Sequence, residues 1–141
     1  MDLIERENEI LDEFSLFSDW MEKYEYIIDL GKELKPIDEK FKSDEYVIKG
    51  CQSQVWLHAW KEDGLVHFRA DSDAIITKGI IALLIRTLDG LKPEEILNAD
   101  LKFIDEIGLK EHLSPTRANG LLSMIKQMKL YAIGLQHKQS I

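Results

Sequence analysis

Residues 54–69 read QVWLHAWKEDGLVHFR. Gln54 to Trp60 is rich in β-branched and aromatic side chains, Glu62, Asp63 and Gly64 supply turn chemistry, and Leu65 to Arg69 alternates apolar with polar positions. The pattern predicts a β-hairpin. A shorter apolar run just upstream, Tyr46, Val47 and Ile48, predicts a further strand and so a small antiparallel sheet of about three strands. A sheet of that size buries too little apolar surface by itself and needs helices over one face.

The flanking sequence supplies those helices. Leu3, Ile4, Ile10, Leu11, Phe14 and Phe17 fall mostly on one face of an amphipathic opening helix. Ser18 or Asp19 can cap a second helix through Trp20, Tyr24, Ile27 and Ile28, with Gly31 near its end and Lys35-Pro36 breaking it. After the hairpin, Asp71, Ser72 and Asp73 offer N-cap side chains to an apolar helix from Ile75 to Leu88 that ends at Gly90. Pro93 opens a short helix through Leu97, and Leu101 to Ile107 forms a second short piece. Ser114 reads as an N-cap with Pro115 at the first helical position, and Ala118, Leu121, Leu122, Ile125, Met128, Ala132 and Leu135 form the buried stripe of a last helix. Gln136 to Ile141 is expected to fray. The fold class is α+β, with no repeat or linker to divide the 141 residues.

The 18 basic and 26 acidic residues give a net charge of −8, which argues against non-specific binding to nucleic acid or anionic membranes. The most hydrophobic stretch, Ala74 to Leu88, is short for a bilayer span and contains Lys78 and Arg86. One cysteine forms no intramolecular disulfide, and residues 1–5 carry no secretory pattern, so a reducing cytoplasm is the expected location.

That cysteine, Cys51, stands between Gly50, which permits a tight bend, and the polar pair Gln52 and Ser53, at a turn into the first strand of the hairpin. A lone cysteine is most often a small core residue. This one has wider company. Gly50-Cys51-Gln52-Ser53-Gln54-Val55-Trp56 is followed by Asp71-Ser72-Asp73-Ala74, Lys78-Gly79, His112-Leu113-Ser114-Pro115, Arg117 and Gly120-Leu121. In order and approximate spacing these motifs resemble the SufE family, sulfur-acceptor proteins that take persulfide sulfur from a cysteine desulfurase during iron–sulfur cluster assembly. The resemblance runs from about Trp20 to Met128. It implies a single SufE-like domain over residues 1–141, with Cys51 as the persulfide-carrying residue. The implied partners are a SufS-like cysteine desulfurase, which this protein activates, and a Suf-type cluster scaffold that receives the sulfur. It implies no cofactor on this chain, since pyridoxal phosphate belongs to the desulfurase.

Sulfur acceptance makes conflicting demands on the thiol. The attacking species is the thiolate, while the persulfide it becomes is easily reduced and favours apolar shelter, which in turn raises a thiol's pKa. A loop moving between sheltered and extended positions meets both demands, and Gly50, Gln52 and Ser53 suit such a loop. Arg117 falls at about the third position of the last helix, where a cation opposes the helix dipole. It can serve a thiolate, a persulfide or an acidic partner residue, or it can be a solvated or ion-paired arginine. Gly120 costs its helix about 1 kcal/mol relative to alanine, which points to a close neighbour, and the Cys51 loop is the candidate.

His58, His67, His112 and His137 form no metal-ligand spacing, and no metal is expected. His58 and His67 read as strand residues, His112 as a structural residue at the helix entrance, and Asp71 and Asp73 as capping and turn-forming residues in preference to paired acid–base carboxylates. Two other functions remain open on residue chemistry. One is a cysteine-dependent hydrolase or peroxidase using Cys51 with His112 as base, and the other is a non-catalytic interaction module with Cys51 in its core.

Overall fold

The hairpin forms as its sequence pattern requires. In the computed structural model, which describes residues 2–137, β1 (Val55–Glu62) pairs antiparallel with β2 (Leu65–Ser72) from Val55 opposite Ser72 to Glu62 opposite Leu65. The two residues between them, Asp63 and Gly64, have φ of 53° and 80°, the positive values a type I′ turn requires and the reason for glycine here. Alternation sends Val55, Leu57, Ala59, Val66, Phe68 and Ala70 into the core, while Trp56, His58, Trp60, His67 and Arg69 face outward. The outward rings stack on one another and on Phe41.

The sheet has two strands, not about three. The segment before Cys51 contributes one isolated bridge, Val47 to Trp56, with the Ile48 amide donating to the Val55 carbonyl at 2.8 Å. Tyr46 is instead drawn into a 3₁₀ turn, Asp44–Tyr46, and Gly50 turns the chain away at φ 93°, so too few residues remain for a ladder. A second bridge, Val66 to Leu91, lies at the other edge.

Helix α1 (Leu3–Phe14) buries Ile10 and Phe14, and α2 (Trp20–Lys32) starts at Asp19, whose carboxylate accepts from the Glu22 amide. Helix α3 (Ile75–Leu88) is mostly buried and lies between α2 and the hairpin. Its closeness to α2 explains Gly79. A Cβ there would stand 2.2 Å from the Ile27 carbonyl oxygen, so only glycine lets the two backbones touch. Arg86 of α3 then reaches Glu9 and Glu13 of α1 and the Tyr26 hydroxyl, joining the three helices.

Two short helices, α4 (Pro93–Leu97) and α5 (Lys102–Glu106), lead to α6 (Pro115–Leu135). Ser114 caps α6 by accepting from the Arg117 amide. Gly120, Leu121, Met124, Met128 and Ala132 are its buried residues. Leu122, expected in that stripe, is 48% exposed, and Met124 occupies the core, because the face is set by packing against α4, α3 and β1. The Tyr131 hydroxyl donates to the Leu57 carbonyl at 2.8 Å and fixes α6 against the sheet edge. The expected fraying falls mostly on residues 138–141, outside the described residues.

The described residues build a single α+β domain around one core, and none of their helices is long and apolar enough to cross a membrane.

Candidate functional site: the Cys51 loop

Residues 49–53 form a short loop held at both ends. Upstream, Ile48 is buried and bonded to Val55. Downstream, Gln54 is gripped by the turn after β2. Its amide donates to the Asp73 carboxylate at 3.1 Å, and its carbonyl accepts from the Ser72 hydroxyl at 2.8 Å and from the Asp73 amide at 3.3 Å. This corrects the reading of Asp71 and Asp73 as helix caps. The N-cap of α3 is Ala74, with no side-chain bond to the helix, because these polar side chains are spent across the chain.

Between the anchors the loop folds onto α6. Gly50, at φ 93°, lies so close that a Cβ would be 2.4 Å from the Ser123 Oγ. Cys51 Sγ lies 3.6 Å from the Gly120 carbonyl oxygen, in position for the thiol to donate a weak hydrogen bond. A Cβ on Gly120 would meet that sulfur at 3.5 Å, ordinary van der Waals contact, so the cysteine lies directly over the bare backbone of the helix.

The sulfur is half-buried and faces a cavity of about 60 Å³ lined by Gln52, Ser53, Thr77, Ile80, Thr116, Arg117 and Met124 besides Gly120. Burial pushes its pKa above that of a free thiol. The docked cysteine is therefore a protonated thiol. A thiolate in the same place would lose its bond to the Gly120 carbonyl and face that oxygen's partial negative charge.

Arg117, in the first turn of α6, lines this cavity with an exposed side chain. Among the described residues its guanidinium makes no ion pair or hydrogen bond, while its amide is spent on the Ser114 cap. Among the described residues it is therefore an unpaired cation on the wall of the thiol's cavity. The structure thus brings together Gly50, Cys51, Gln52, Ser53 and Arg117.

His112 belongs elsewhere. Its ring stacks on Trp20 with centroids 4.0 Å apart, its Nδ1 lies 3.0 Å from the Gly108 carbonyl, and its own carbonyl accepts from the Tyr24 hydroxyl. It ties α2 to the entrance of α6, and no histidine lines the cysteine's cavity. His112, the base that the hydrolase reading requires, therefore stands apart from Cys51. Among the described residues no group of three or more His, Cys, Asp or Glu could hold a metal ion.

A model of the SufE family, described as an Fe-S metabolism associated domain, matches residues 8–132 and so contains every element of this site. The chain belongs to the SufE family. Its relatives agree along most of its length. A SufE-like protein of Rhizobium meliloti (strain 1021) is 42% identical over 132 residues, covering 90% of this chain and 94% of its own. A SufE-like protein of Synechocystis sp. (strain ATCC 27184 / PCC 6803 / Kazusa) is 41% identical, covering 93% and 82%. SufE-like protein 1, chloroplastic/mitochondrial, of Arabidopsis thaliana is 44% identical over 117 residues, which is 82% of this chain and 32% of that longer one. The solution structure of a hypothetical protein from Thermus thermophilus shares the fold, with a TM-score of 0.79 at 20% identity over 94% of this chain and 97% of its own. As a SufE-family protein the chain is a sulfur acceptor and activator in iron–sulfur cluster biogenesis and not a stand-alone enzyme.

Thr77, Ile80, Thr116, Ser123 and Met124 were not legible as site residues in the sequence. They are helical positions that read locally as core or surface, and only the packing of α3 and α6 around the loop turns them toward the cysteine.

Proposed function

We propose that Cys51 Sγ is the atom on which this SufE-family protein carries sulfur, between a SufS-like cysteine desulfurase and a Suf-type cluster scaffold, in the reducing cytoplasm. The observation that carries the reading is the half-buried Cys51 sulfur facing a cavity of about 60 Å³ beside an arginine with no other partner among the described residues.

In the extended loop the Cys51 thiolate attacks the outer sulfur of the desulfurase persulfide. A new sulfur–sulfur bond forms on Cys51, the old one breaks, and the electron pair leaves on the desulfurase cysteine, so no external oxidant or reductant is consumed. The loop then returns to α6. The cavity has the size of a few heavy atoms, enough for one added sulfur. Ile80 and Met124 give it an apolar floor beside the sulfur, which limits the approach of a reductant from that side, and Arg117 balances the charge when the outer sulfur is ionised. Gly50 supplies the hinge, with Gln52 and Ser53 as polar loop material.

The test is mass spectrometry of the protein after incubation with desulfurase and free cysteine. Cys51 gains one sulfur atom that a thiol reductant removes, while Cys51→Ser keeps its fold and gains none. A serine variant that stimulates desulfurase turnover as well as the parent contradicts the proposal.

A further inference from the structure

The Cys51 loop is gripped directly by Ile48 and by the Ser72–Asp73 turn, and one side chain outside the cavity is joined to the strap that leads into the loop, to that turn and to the helix of the cavity wall. The Asp71 carboxylate, 20% exposed, receives Lys42 Nζ on Oδ2 at 2.8 Å and Lys78 Nζ on Oδ1 at 3.2 Å. The same Oδ1 accepts the Ser72 amide at 2.8 Å. Lys42 ends the 3₁₀ turn Glu39–Phe41, on the strap that runs through Val47 and Ile48 into the loop. Lys78 sits on α3 between Thr77 and Ile80, which line the cavity. Ser72 and Asp73 hold Gln54, where the loop ends. Asp71 is also the cross-strand partner of Trp56, over whose ring Lys42 Nζ stands at 6.0 Å. Partial burial pushes the Asp71 carboxyl upward, but Lys42, the Ser72 amide and Lys78 outweigh it and hold the group below the usual carboxylate range. It therefore remains charged at neutral pH.

We infer that Asp71 is a positioning residue for the Cys51 loop: its one carboxylate joins the strap before the cysteine, the turn that grips the loop's far end and the helix that walls the cavity. A reaction with the sulfur is not implied. Asp71 keeps the anchors in register, so that the loop docks with its sulfur over Gly120. Removing the charge frees Lys42 and Lys78 and lets the strap and turn shift independently. The docked loop then loses its template while the core beneath is untouched.

The inference uses the assignment of Cys51 as the sulfur carrier only for its consequence, and its test reads thiol access, which is independent of sulfur transfer. Alkylation of Cys51 by iodoacetamide is timed in the 141-residue chain and its variants, beside the melting temperature of each. Asp71→Asn preserves shape and abolishes the charge, and is expected to alkylate about threefold to tenfold faster, the range expected from losing two partly exposed ion pairs. Lys42→Met and Lys78→Met keep their stems and each give part of that gain. Adding Lys42→Met to Asp71→Asn gives no further gain, because both remove the same contact. Asp71→Glu, which retains the charge, stays nearer the parent than Asp71→Asn. Should Asp71→Asn fail to fold, the two lysine variants carry the test with the carboxylate in place. Alkylation at the parent rate in the asparagine or lysine variants, whatever their melting temperatures, overturns the inference, as does an independent, multiplicative effect in the double variant.

Discussion

Replacing Gly50 by alanine separates loop docking from global stability. Two costs arise if the loop stays docked. A φ of 93° is a conformation L side chains rarely adopt, which costs about 1–3 kcal/mol. The new Cβ would also lie 2.4 Å from Ser123 Oγ and 3.3 Å from its Cβ, well inside van der Waals contact. Together the costs exceed what one weak thiol hydrogen bond and a few apolar contacts return, so the loop undocks between its anchors at Ile48 and Gln54. A shift of about 1.4–2.8 kcal/mol in that equilibrium raises the rate of Cys51 alkylation about tenfold to a hundredfold. The apparent thiol pKa falls back toward that of free cysteine, because the burial that raises it is lost. In the parent, docking is complete below the free-thiol pKa and weakens as pH rises through it, since the docked state holds its proton more tightly. The melting temperature changes little, because Ile48 and Val55 keep their places in the core. Ser123→Gly in the alanine background returns the overlap part of the effect and leaves the φ part. An alanine variant that alkylates at the parent rate, or exposes Cys51 only as the whole protein melts, refutes an independently docking loop.

Arg117→Ala should leave stability unchanged or raised by about 0.3–1 kcal/mol, since a cation leaves a helix N-terminus. Its sulfur uptake from desulfurase should fall about tenfold to a hundredfold for one lost charge-assisted contact, as read by labelled-sulfur transfer, with Arg117→Lys recovering part. A lower melting temperature with unchanged transfer would make the arginine structural. Gly120→Ala places a methyl at ordinary contact distance from the thiol, 3.5 Å, and should stabilise α6 by up to about 1 kcal/mol. The room for a second sulfur shrinks, so the Cys51 persulfide should survive a thiol reductant for a clearly shorter time than in the parent, and an unchanged lifetime would show that the cavity does not house it. Gly79→Ala forces apart the α2 and α3 backbones and should cost about 3 kcal/mol or more, measured by urea denaturation. An unshifted midpoint would contradict that packing.

The hairpin was legible because its alternation and the Asp63–Gly64 turn demand the same register, and α6 because Ser114 and Pro115 mark its start. Gly120 was legible for a different reason: a residue that weakens its own helix implies a neighbour, and the neighbour is Cys51. The Asp71–Ser72–Asp73 turn was misread because capping a helix and clamping a distant segment use the same short polar side chains. Which use prevails depends on where Gln54, Lys42 and Lys78 arrive in space. The third strand failed because three apolar residues between a 3₁₀ turn and Gly50 are too few for a ladder, a balance of local geometries that alternation alone does not reveal. Leu122 was placed inside by spacing, yet α6 contacts neighbours on only part of its circumference.

Cys51 is proposed to hold the sulfur in the cavity that Arg117 lines. The most direct measurement is the position and lifetime of that sulfur: the protein is incubated with desulfurase and cysteine, passed from it, and followed by mass spectrometry during exposure to a thiol reductant. One added sulfur is expected on Cys51, protected in the parent and lost faster in Gly50→Ala, where the loop no longer docks. No sulfur on Cys51, or equal loss from the parent and Gly50→Ala, would contradict it.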